Sequence, residues 1–129
     1  MNGIAMIFLA AGALCALIGM AWGIQMSATG DHTLAPAHAH LNLLGWVSLA
    51  IFGVYYHLVP GAANTMLAKA HLAVALAGVV VIVPGIVSAI HQTGETLAKI
   101  GSVLSILSML LFLVVVLTNR RRAVPGAAG

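Results

Sequence analysis

The sequence predicts an all-α integral membrane protein, a bundle of four transmembrane helices running up and down. Three observations predict it: four long apolar runs, almost no charge, and short polar turns between the runs. Each run is close to the ~20 residues that a helix needs to cross the hydrocarbon core. With 62% apolar and only 5% charged residues, and a mean hydropathy of +1.13, the chain lacks the polar side chains that would cover a water-soluble domain. Its solvent is the lipid bilayer. The 129 residues form a single transmembrane domain.

The first run spans about residues 4–26. It has no basic leader, is longer than the usual apolar region of a secretory signal and lacks a clear small-residue cleavage site, so it reads as a helix. Gly12, Ala16, Gly19 and Gly23 form a small-residue seam along it, suited to close helix contact. Cys15 lies in the middle of this run as the chain's single cysteine, which excludes an internal disulfide and any cysteine-based metal motif. Ser27, Gly30 and Asp31 punctuate the chain before Pro36.

The second run covers about 37–59 and opens on His38-Ala39-His40. Pro60, Gly61 and Asn64 separate it from the third, about 67–90, in which His71, Gly78 and Gly85 recur at seven-residue steps on nearly one face. That strip suits either a close neighbouring helix or a planar ligand. Pro84 is expected to kink this helix and to deprive the Val80 carbonyl of its usual partner. Gln92, Thr93, Gly94 and Glu95 mark the turn into the fourth run, about 96–117, with Ser102, Ser105 and Ser108 as a second small-residue seam. A basic tail, 118–129, follows.

Lys69 and the tail arginines Arg120, Arg121 and Arg122 fall on one side of the bundle, and Lys99 alone on the other. Cytoplasmic loops collect Lys and Arg, so both termini are expected in the cytoplasm of a multi-pass protein of the inner (plasma) membrane. The formal charge of +3 is therefore a topology signal; the chain has no basic surface for nucleic acid.

Six histidines outnumber the five Lys and Arg and the two Asp and Glu. An ionisable side chain inside a membrane is costly, and neutral imidazole is the commonest metal ligand, so this excess is the main functional clue. His32, His38, His40 and His91 share the outer end and are the candidate metal ligands; His57 and His71 lie toward the inner end. The alternative for His57 and His71 is a hydrogen bond to a neighbouring helix carbonyl, and for His32 simple solvation. Two positions along a helix turn through about 200°, so His38 and His40 leave on nearly opposite sides. The pair serves two neighbouring compartments, or one of the two is structural. At ~1.5 Å per residue His40 sits about 12 Å outward of its helix midpoint and His71 about 10 Å inward of its own, too far apart to share one planar ligand easily. Asn42 lies near His38 on the helix and is placed to orient a ligand.

Ala37-His38-Ala39-His40-Leu41-Asn42-Leu43-Leu44-Gly45-Trp46, followed by Phe52-Gly53-Val54-Tyr55-Tyr56-His57-Leu58-Val59-Pro60, resembles the second helix of the catalytic subunit of heme-copper oxidases, nitric-oxide reductases in particular. The likeness covers about 25 residues, with a weaker echo in Leu67-Ala68-Lys69-Ala70-His71-Leu72. It implies that His40 is an axial ligand of heme b, with His38, Asn42 and His71 as further cofactor-binding candidates. That family's copper is held by three histidines, two of them adjacent, and this chain contains no His-His. The resemblance thus implies heme binding without a full binuclear centre, serving electron transfer, heme handling or binding of O2 or NO. The alternatives are a minimal terminal oxidase or nitric-oxide reductase with copper or another non-heme metal on a second set of histidines, and an accessory subunit without cofactor. The family's large subunit is a ring of twelve helices with pseudo-threefold symmetry. A four-helix chain is one third of such a ring, which implies a homotrimer in which His40 of one protomer and His38 of the next reach the same heme, and a redox partner that supplies electrons.

Overall fold

In the computed structural model the described residues are Met1 and 3–120. They form four long helices: α1 Gly3–Thr29, α2 Ala35–Leu58, α3 Met66–Ile90 and α4 Thr96–Asn119. Each is long and apolar enough to span a membrane, and none contains a strand. The expected spans are met to within three residues at every end. The largest difference lies at the end of α1, where Ser27 and Thr29 continue the helix and Thr29 Oγ1 bonds back to the Gln25 carbonyl at 2.9 Å. In the basic tail, Thr118 and Asn119 still belong to α4, while Arg121, Arg122 and the rest of the tail lie outside the described residues.

The connections are tight because their residues terminate helices. Gly30 takes a positive φ of 67° directly after α1, where a side chain would be strained. Pro60 opens a single helical turn, Pro60–Ala63, and Thr65 then caps α3 by accepting from the Ala68 amide. Gln92 at φ 57° and Gly94 at φ 142° reverse the chain between α3 and α4.

α2 differs from a regular helix. Its middle, Leu41–Ser48, is a π-helix, set between α-helical Ala35–His40 and Leu49–Leu58. Ser48 Oγ donates to the carbonyl of Leu43, five residues back, at 2.8 Å, which matches the wider turn. Such segments are rare and often accompany functional positions; this one begins at the residue after His40.

Helices pack as two hairpins, α1 with α2 and α3 with α4. At α3–α4 the approach is backbone to backbone. A methyl added at Gly101 would lie 2.5 Å from Cα of Ile82, and one at Gly85 would overlap the backbone of Ala98. The strip of His71, Gly78 and Gly85 is therefore covered by α4, which corrects the planar-ligand expectation there: the space is taken by the main chain of Leu97, Ala98, Leu104 and Ser105. The serine seam is partial, with Ser108 buried, Ser105 half-buried and Ser102 exposed. Pro84 lies on the exposed side of α3, which continues through it to Ile90.

The core joins the hairpins through Phe8, Leu49, Phe52, Tyr56, His71 and Val115. In the most apolar 18-residue window of each span only 17–33% of residues are buried within the chain. The outward remainder, including Leu17, Ile24, Val80 and Ile106, is apolar. That inverts the surface of a soluble bundle and suits a lipid environment.

Candidate functional site

The short connections bring His32, His38, His40 and His91 to one end of the bundle. They do not converge: among the described residues no three His, Cys, Asp or Glu side chains gather closely enough to hold an ion. His32 is exposed, with Nδ1 3.3 Å from the Gly30 carbonyl. His91 caps the C-terminal end of α3 and is also exposed. Asp31 accepts from Thr33, its amide lying 2.9 Å away. Those hydrogen bonds, helped by the nearby His32 and His91, hold its carboxyl below the ordinary carboxylate range.

His38 and His40 diverge, as two steps along a helix require, and they reach different partners. His38 turns into the α1–α2 hairpin. Its Nε2 lies 2.9 Å from the carbonyl of Gly19 and 3.1 Å from the Asn42 amide nitrogen. An amide nitrogen only donates, so an Nε2–H that donates to Gly19 cannot also accept from Asn42. Asn42 Nδ2 instead has the His38 carbonyl as acceptor at 3.0 Å. The indole of Trp22 stands edge-on to the His38 ring, with centroids 6.0 Å apart. Glycine at 19 leaves room for this arrangement, since a methyl there would overlap the Asn42 amide unless that side chain turned aside. His38 thus bridges two helices, the structural role open to one member of the pair.

His40 faces the other way. Its Nδ1 lies 2.8 Å from the carbonyl of Pro36, one turn back on its own helix. A carbonyl accepts only, so Nδ1 carries a proton, and in the neutral ring Nε2 keeps its lone pair. The ring is half-buried and heads a row of exposed apolar residues on α2: Leu43, Val47, Ile51, Val54 and Leu58. A neutral imidazole with one nitrogen fixed by a carbonyl and the other unengaged is the usual preparation of a metal ligand.

At the other end His71 is fully buried on α3. Its Nδ1 is 2.9 Å from the hydroxyl of Tyr56. Four rings enclose it: Phe52, Phe8, Phe112 and Tyr56, at centroid distances of 4.6, 5.2, 5.6 and 5.8 Å. Nε2 has no hydrogen-bond partner. The Tyr56 partnership and the box of rings were not anticipated from sequence. The signal for Tyr56 was a buried histidine that needed a polar partner on a neighbouring span. His57, next to Tyr56, points away from this box and is exposed.

The cavity between α2, α3 and α4, lined by Leu44, Ser48, Phe52, Ser105 and Ser108, measures about 20 Å³, room for roughly one water. No histidine lines that cavity; His40 lies on the side of α2 that carries the exposed row from Leu43 to Leu58, open to the outside of the bundle. Compared with protein-family models, with curated proteins and with solved structures, the chain matches none.

Proposed function

We propose that this membrane protein binds heme b through His40 and acts in electron transfer, heme handling or binding of O2 or NO. The observation that carries the reading is the state of His40, with Nδ1 committed to the Pro36 carbonyl at 2.8 Å and Nε2 free on the outer face of α2. The donor fits the group: axial imidazole is a standard ligand of heme iron, which would supply one-electron or gas-binding chemistry. The protein's own part is to fix the tautomer and orientation of the ring, through the carbonyl of Pro36, at the point where α2 passes from α to π geometry.

A face that is open on one chain needs covering. The homotrimer implied by the resemblance would cover it, with the His40 side of α2 against the next protomer, in the inner membrane with both termini cytoplasmic and a redox partner as electron source. His38 contributes to such an assembly as a ligand only if its bond to Gly19 opens, so His40 carries the proposal alone. A second set of metal ligands for an oxidase or reductase centre would have to be completed between protomers.

The test is a reduced-minus-oxidised optical spectrum of protein purified from heme-replete cells, with native mass spectrometry of the same sample. A b-type Soret and α band on a trimer is the expected result. Absence of any heme band would leave the accessory-subunit reading, in which the histidines bridge helices as His38 does. A fully heme-loaded monomer would dismiss the trimer.

A further inference from the structure

The end of the bundle opposite His40 carries a cleft of about 360 Å³. It lies between the first turn of α1, the end of α2 and the first turns of α3; His57, Asn64 and Lys69 line it with polar side chains, as does Tyr56, whose hydroxyl is already bonded to His71. A water occupies about 30 Å³ in the liquid, so the cleft takes a group the size of about a dozen waters, far more than a simple halide needs.

Its charge is unbalanced. The chain has two carboxylate side chains, Asp31 and Glu95. Both lie at the other end of the spans, and Glu95 is already paired with Lys99 at 3.1 Å. No carboxylate lines the cleft, so the Lys69 ammonium has no acidic side chain to pair with. Two further features have the same sign. The first-turn amides of α1, at Gly3, Ile4 and Ala5, border the cleft and have no acceptor within their own helix. Lys69 itself stands in the first turn of α3, at the positive end of that helix dipole. Asn64 donates one amide hydrogen toward the Pro60 carbonyl at 3.3 Å and retains a second. Exposed Leu58 and Met66, 70% and 77% accessible, flank the same level with apolar surface.

We propose that this cleft binds a phosphate-bearing anion, held by Lys69 with His57 and Asn64 at the membrane boundary, either as an anionic phospholipid headgroup or as a free phosphate. Lys69 supplies the counter-charge, His57 and Asn64 supply directional donors, and the N-terminal ends of α1 and α3 add fixed positive potential, set against the negative C-terminal end of α2. With a lipid, the chains run down past Leu58 and Met66. The proposal stands independently of heme binding.

The experiment uses the full chain in detergent, stripped of lipid, titrated with phosphatidylglycerol, with phosphatidylcholine, and with inorganic phosphate as competitor, and read by native mass spectrometry. Phosphatidylglycerol is expected to bind in preference to phosphatidylcholine. K69Q should weaken it about fivefold, the effect of one cation at an anionic interface, while K69R retains it and K99Q leaves it unchanged. Displacement by inorganic phosphate identifies a free phosphate as the occupant; persistence of the lipid against it identifies the headgroup. Equal binding by wild type and K69Q, equal loss in K69Q and K99Q, or no preference over phosphatidylcholine would overturn the proposal.

Discussion

The two ends of the bundle use histidine in opposite ways. At the end near the α1–α2 connection His38 and His40 each bond a backbone carbonyl, and the nitrogen left over on His40 lies on the exposed side of the helix. At the opposite end His71 bonds a side chain, Tyr56, and its other nitrogen is sealed among aromatic rings. The difference is one of access. A histidine on the rim of a four-helix chain can take a large ligand if another surface covers it, whereas one at the centre is already enclosed by Phe8, Phe52, Tyr56 and Phe112. Intramembrane position alone therefore does not distinguish a ligand from a packing element; the engagement of both ring nitrogens does.

The largest expected effect separates the two. His40→Ala should abolish the b-type heme spectrum while leaving the helical fold and its resistance to unfolding in detergent essentially intact, because the ring is only half-buried. His71→Ala should do the reverse, costing about 2–5 kcal/mol by emptying the core beside Phe8 and Phe52 and leaving heme bound to whatever fraction folds. A mutant pair with these outcomes exchanged would break the comparison. Heme content by absorbance and unfolding in graded SDS measure the two sides.

A smaller effect tests backbone contact against side-chain contact at the helix crossings. Gly101→Ala places a methyl against Ile82 Cα, which cannot move without α3, and should cost about 1–3 kcal/mol in the same unfolding assay. Gly19→Ala meets the amide of Asn42, the tip of a side chain that can rotate, and should cost less. Equal losses would mean that the His38-Asn42-Gly19 arrangement is as rigid as the α3–α4 contact.

Smaller again is the Tyr56–His71 bond. Tyr56→Phe leaves Nδ1 without its hydrogen-bond partner and should cost about 1 kcal/mol; the double variant Tyr56→Phe with His71→Leu should cost less than the two single changes summed, since removing both partners leaves no orphaned polar group. The smallest effect concerns Asp31. Its carboxyl is held below the ordinary range, so its contribution to the 31–33 turn is present above the unfolded value and is lost as pH falls through the folded one. An NMR titration of the Thr33 amide should give a midpoint below that of an unstructured aspartate.

Much of this architecture was legible in the residues. The spans follow from apolar length, and their ends from Gly30, Pro60 and Gly94, each of which interrupts a helix by its own stereochemistry, whereas the cap at Thr65 emerged only in the structure. Gly12 and Gly19 signalled a close helix contact through their lack of a side chain, and the structure supplies α2 as the partner. The divergence of His38 and His40 followed from helical rotation. The π segment did not, because Leu41–Ser48 reads as an ordinary apolar helix and its register depends on what α1 presents, including Cys15 against Gly45. Nor did the covering of Gly78 and Gly85 by α4, since a small-residue strip is equally compatible with a ligand.

The sequence by itself determined the solvent, the number of crossings and where each crossing stops, because those depend on local hydropathy and on single residues that break or cap helices. Only the tertiary structure decided which histidine nitrogens are already engaged, since Gly19, Pro36 and Tyr56 become partners through backbone geometry and helix packing rather than through any pattern along the chain. His40, the histidine the resemblance singled out, keeps one nitrogen free for that reason, while His38, two residues away, has turned inward to hold the helices together.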